Sequence, residues 1–132
     1  SKYQNLEFDE YYLTIDSSDE NLPIVAVTAI EWFKTDFDAC IKKQNQYANK
    51  YEKIFKIKKE VLPIQDFSDK YGPGSKWRPI IFERPNFQTI KSDTASVLCY
   101  HYGTSPENDL FETDNLKINI LTREYADAIT VK

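Results

Sequence analysis

Hydrophobic positions along the chain fall into one helical stretch set among several strand-like runs. Phe37, Ile41, Gln44, Ala48, Tyr51 and Phe55 recur at alternating steps of four and three, with Cys40, Tyr47 and Ile54 widening the stripe on one flank. That is the periodicity of a helix burying one side, and it predicts one long amphipathic helix over residues 36–60. Thr35 or Asp36 supplies the N-terminal cap, and Asp36 and Asp38 suit the positive end of the helix dipole. Lys56, Lys58 and Lys59 suit the negative end, and Pro63 bars continuation.

On either side of the helix the period drops to two. Residues 8–15 read as a strand with Tyr11, Leu13 and Ile15 on one face and Tyr12 and Thr14 on the other. Residues 16–21 are a polar turn, and 23–29 form a short β-branched run read as a more buried strand. Residues 61–67 and 77–83 read as further strands, the latter demoted toward a sheet edge by Pro79. Residues 87–91 and 95–102 flank a turn at Ser92, Asp93 and Thr94 and suggest a hairpin. Leu116, Ile118 and Ile120 alternate with polar residues in another strand, and 123–131 read as strand or short helix. One helix among successive strands predicts an α+β single domain spanning residues 1–132, with the helix packed on a mostly antiparallel sheet.

Charge is segregated along the chain. Residues 1–38 carry nine acids and two bases, residues 39–60 seven bases and two acids, and residues 92–132 seven acids and three bases, for a net charge of −4. Separated charge of this kind steers partners. At 132 residues with 14% aromatics the chain is large enough to fold around a core of its own. No apolar run reaches the ~18 residues of a membrane span, and no leader pattern stands at the start. Two cysteines, Cys40 and Cys99, are too few for a disulfide scaffold. They read as buried free thiols, which makes the reducing cytoplasm the default compartment.

Standard chemistry is largely excluded. Gly72, Gly74 and Gly103 cannot build a GxGxxG turn or a Walker loop, and one histidine with two distant cysteines cannot make a structural zinc site. Cys99 and His101 share a strand face, but about 7 Å between their Cα atoms is loose for a catalytic pair. No cofactor, metal site or catalytic residue is expected.

Binding residues remain. The segment 69–79 gathers Tyr71, Lys76, Trp77 and Arg78 around two glycines, the residue types of interface anchors. Acidic clusters at Asp16, Asp19 and Glu20 and at Glu107, Asp109 and Glu112 offer a contact for a basic partner. The leading expectation is therefore a non-catalytic protein-binding module, an inhibitor or immunity-type protein that neutralises a protein partner. A second reading is a single-stranded nucleic-acid binder using Lys42, Lys43, Lys50, Lys53 and Lys56 of the helix with Lys76, Trp77 and Arg78. A third is a small-molecule or enzymatic domain with a pocket between helix and sheet.

Overall fold

A computed structural model describes residues 8–67, 72–83, 94–103 and 114–122. Seven strands and one helix follow in the order β1 (Glu10–Ile15), β2 (Ile24–Lys34), α1 (Phe37–Phe55), β3 (Lys59–Val61), β4 (Gln65–Asp66), β5 (Lys76–Glu83), β6 (Thr94–His101) and β7 (Asp114–Leu121). Every pairing is antiparallel, in the order β1-β2-β7-β6-β5-β3, with β4 also on β5. The α+β expectation holds.

α1 lies across β6, β7 and the adjoining part of β2. Phe37, Cys40, Tyr47 and Ala48 meet Ala29, Ile80, Phe82, Val97, Cys99, Leu116 and Ile118 in one core. Asp36 caps the helix by accepting from the Ala39 N–H at 2.9 Å, satisfying one of the orphan donors of the first turn. The helix ends at Phe55 and not at residue 60. Lys56 takes a left-handed backbone (φ 53°), which stops the α spiral and reverses the chain. Glu52 then holds the reversal from one turn back, accepting from the Lys59 N–H at 2.8 Å and from its Nζ at 3.0 Å. Ile54, read as part of the buried stripe, is 57% exposed, because the sheet packs only the Cys40–Ala48 side at that end.

The two cysteines are not free thiols. Cys40 on α1 and Cys99 on β6 form a disulfide with their Cα atoms 6.0 Å apart, both wholly buried. The helix crosses β6 at this point, so the two stripes that each buried a cysteine bring them face to face. Gln44, one turn further on, is also fully buried. Its amide nitrogen donates to the carbonyls of Arg78 (2.8 Å) and Val97 (2.7 Å), and its Oε1 accepts from Arg78 Nε (2.9 Å). With its main bonding capacity met, this polar group is tolerated in the core.

Pro79 does not mark an edge. β5 has β6 on one side and β3 and β4 on the other, and Pro79 is among the fully buried residues. Its carbonyl accepts from the Leu62 N–H at 3.1 Å, in the gap where β3 has ended and β4 has not begun. A residue's N–H and C=O leave an extended strand on the same side, so the missing donor faces that gap and no ladder bond is lost. The same gap divides the single strand expected at 61–67 into two short ones. β2 runs five residues beyond the 23–29 expectation, to Lys34. The strand expected at 87–91 and the segment 123–131 lie outside the described residues.

Candidate functional site

α1 covers the middle of the sheet, and none of the described residues covers one corner of it. Among the described residues, large apolar side chains are exposed along β1 and β2: Tyr11 (44%), Tyr12 (52%), Leu13 (60%) and Ile15 (49%) on the outer strand, then Leu22, Ile24, Val27 and Trp32. On the helix side of the sheet, the pairings Leu13↔Val27 and Val27↔Ile120 make a continuous apolar row across three strands. All three residues are exposed. On the other side Tyr12 stands over Thr28, whose hydroxyl donates to Asn119 Oδ1 at 2.7 Å. Contiguous apolar surface of this kind marks binding sites in monomeric proteins.

Acids rim this corner. Asp9 and Glu10 stand at one end of β1, and Asp16, Asp19 and Glu20 occupy the turn at the other. There is no lysine or arginine between Lys2 and Lys34. The turn is internally tied: Asp16 Oδ1 accepts from the Ser18 hydroxyl and N–H, and Asp19 Oδ1 from the Asn21 N–H. The hydroxyl bond, then the backbone bond, holds the Asp16 carboxyl below its ordinary range. Asp9 Oδ2 accepts from the Trp32 N–H at 2.8 Å, while Tyr12 donates its hydroxyl to Glu10 at 2.7 Å and is pushed up by that bond. Leu22 leaves the turn with a left-handed backbone (φ 47°) and its side chain in solvent.

The other sequence-derived residues fall elsewhere. Trp77 and Arg78 lie within β5 and not on a loop, and successive strand residues point to opposite faces. Trp77 stacks on Tyr100 at 5.9 Å and 10°, and Tyr100 on Tyr102 at 6.3 Å and 4°. Phe67 is packed against all three rings, and Lys117 Nζ lies 5.4 Å from the Tyr100 centroid. Arg78 faces α1, donating to Gln44 and to Asn45 Oδ1, and its burial draws the guanidinium below its ordinary value. Lys42, Lys50 and Lys53 are exposed on the helix, and Lys56 is exposed just past its end. Lys43 is half-buried, its ammonium 5.2 Å from the Tyr47 ring, and Lys76 lies over Phe37 at 5.3 Å. The helix lysines and the Trp77 cluster therefore occupy opposite sides of the sheet. Tyr71, Glu107, Asp109 and Glu112 lie outside the described residues.

Cys99 has no thiol, being disulfide-bonded, and His101 Nδ1 is held at 2.9 Å by the wholly buried Asp114. Cys40, Gln44, Ile80, Val97 and Leu116 fill the space between helix and sheet, where a ligand pocket was envisaged. Among the described residues no cluster of three His, Cys, Asp or Glu could hold a metal, and no helix is long and apolar enough to cross a membrane.

The acids Asp16, Asp19 and Glu20 singled out in the sequence belong to this corner, and its second strand is the more buried of the two, as expected, through Ala26, Ala29 and Ile30; the sequence reading leaves out the corner's exposed apolar residues. Two signals in the sequence pointed to the corner: apolar residues on both faces of β1, and the lack of any base from Tyr3 to Phe33. Comparison with protein-family models, with curated proteins and with solved structures finds no match to this chain.

Proposed function

We propose that this domain is a non-catalytic protein-binding module that docks its partner through the β1–β2 corner. One observation carries the reading: eight large apolar side chains exposed on a single hairpin, with five acids beside them and no base between Lys2 and Lys34. An apolar centre inside a charged rim is the usual anatomy of a protein interface. The acidic rim selects a basic partner and speeds its approach. A partner neutralised by such contact is the inhibitor or immunity-type role suggested by the chain's small size and acidic ends.

The nucleic-acid reading is weakened by placement, since the helix lysines and the Trp77 cluster do not share a face. The Cys40–Cys99 bridge removes the ground for a cytoplasmic assignment and favours an oxidising compartment, where such bonds persist.

Affinity capture from host extract tests the proposal, comparing the wild-type chain with a Tyr12→Ser, Leu13→Ser double variant. Both substitutions lie on exposed positions and should leave the fold intact. A stoichiometric protein held by the wild type and lost by the variant supports the reading. Equal retention by both overturns it.

A further inference from the structure

The open edge of β1 has the geometry to receive another strand. The Thr122 N–H donates to the Val25 carbonyl at 3.0 Å, in step with the β2–β7 register. Alternate residues of an extended strand send their main-chain groups to opposite sides. Odd-numbered residues of β2 therefore bond to β7, and even-numbered ones to β1. Through the pairings Glu10↔Ile30, Tyr12↔Thr28 and Thr14↔Ala26, the even residues of β1 are committed to β2. Asp16, donating to the Pro23 carbonyl at 3.0 Å, keeps that phase beyond the register shift between Thr14 and Ile15.

Tyr11, Leu13 and Ile15 thus carry N–H and C=O groups on the outer side, where no described strand pairs. Edge strands are commonly protected by lysine or proline, and β1 has neither. Charge decides what fits. Antiparallel pairing with a second copy would bring Asp9 and Glu10 of one chain against Asp16 of the other. A segment with basic residues at both ends would instead neutralise both acidic ends.

We propose that the β1 edge binds an extended, base-flanked apolar segment of a partner protein by strand addition. The inference rests on the protein-recognition reading and names the chemistry of its partner. Main-chain bonds to Tyr11, Leu13 and Ile15 supply affinity, and alternate partner side chains meet the apolar row of Leu13 and Val27 on one face and Tyr12 on the other.

The test uses a synthetic peptide of alternating valine and threonine between lysine pairs, titrated against the full chain by fluorescence anisotropy. A second peptide carries the same side chains with every backbone nitrogen of the valine–threonine run methylated, so that neither edge can donate. Two protein variants complete the set: Leu13→Pro removes an outward N–H without touching the β2 ladder, and Leu13→Ala keeps it. Circular dichroism and thermal melts establish that both fold. The expected result is binding of the plain peptide, weakened more than tenfold by methylation, which removes several bonds, and about five- to tenfold by Leu13→Pro relative to Leu13→Ala, the worth of one backbone hydrogen bond. Equal binding of both peptides, or of neither, overturns strand addition. Self-association of the chain that Leu13→Pro abolishes overturns the base-flanked occupant in favour of a second copy. If the peptide fails while host-extract capture still depends on Tyr12 and Leu13, strand addition falls and protein recognition stands.

Discussion

Gln44 Oε1 accepts from Arg78 Nε at 2.9 Å, joining the middle of α1 to the centre of β5 through a fully buried amide. The same amide donates to the carbonyls of Arg78 and Val97, a second bond to each beside the β5–β6 ladder, so its removal takes away three hydrogen bonds and leaves Arg78 Nε without this acceptor. Gln44→Leu keeps the volume but none of the bonds. We expect a loss of about 1–3 kcal/mol, the cost of leaving one buried donor without its acceptor. Urea denaturation of the variant measures it, and a change below about 0.5 kcal/mol would show that the amide is dispensable.

The disulfide should be worth more than any single contact. It closes a loop over a sequence separation of 59 residues, for which the chain-entropy estimate is about 4 kcal/mol. Cys99→Ala paired with Cys40→Ala should lower stability by that order, read as a fall in the urea midpoint with a steeper slope, because the unfolded chain without the cross-link exposes more surface. Adding a reductant to the wild-type chain should reproduce the shift, and should leave the double variant unmoved.

Acid should weaken the turn after α1. The Lys59 N–H, then its side chain, hold Glu52 below its ordinary value of 4.5. A depressed folded-state value means that this stabilisation is present above the ordinary value and is lost as pH falls through the folded one. Glu52→Gln keeps an acceptor but not the charge. The stability gap between wild type and this variant should be largest near neutral pH and close progressively below about pH 4. Thermal melts across that range follow it, and a gap that is constant with pH would rule out the linkage. Glu52 is solvent-facing, so the gap will be modest.

What could be read in advance followed period and composition. The helix core at Phe37, Cys40, Gln44 and Ala48, and most strands, were legible because spacing reports directly which side is buried. The helix end was not, since Lys56 enters the left-handed region with none of the glycine or asparagine that usually signals it. Pro79 misled because its placement opposite a gap between two short strands depends on register. The disulfide depended on where α1 crosses β6, a tertiary fact. The exposed corner was hidden for a related reason: an apolar strand pattern records what needs cover, and only the length and angle of α1 decide which strands receive it.

Ala48 and Ile54 test that distinction directly, because spacing puts both on the buried stripe while the fold separates them. Ala48 is 0% exposed against the sheet, and Ile54 is 57% exposed past the covered strands. Ala48→Asp places an unpaired carboxylate in the core and should cost several kcal/mol, of the order of 3–5, or prevent folding. Ile54→Asp should change stability by about 0.5 kcal/mol or less, as surface substitutions do. Lys50→Asp, on the exposed side of the same helix, should match Ile54→Asp and serves as the reference. Thermal melts of the three variants decide between burial by pattern and burial by packing. If Ile54→Asp loses as much as Ala48→Asp, the sheet must reach further along α1 than the contacts at Cys40, Gln44 and Ala48 imply.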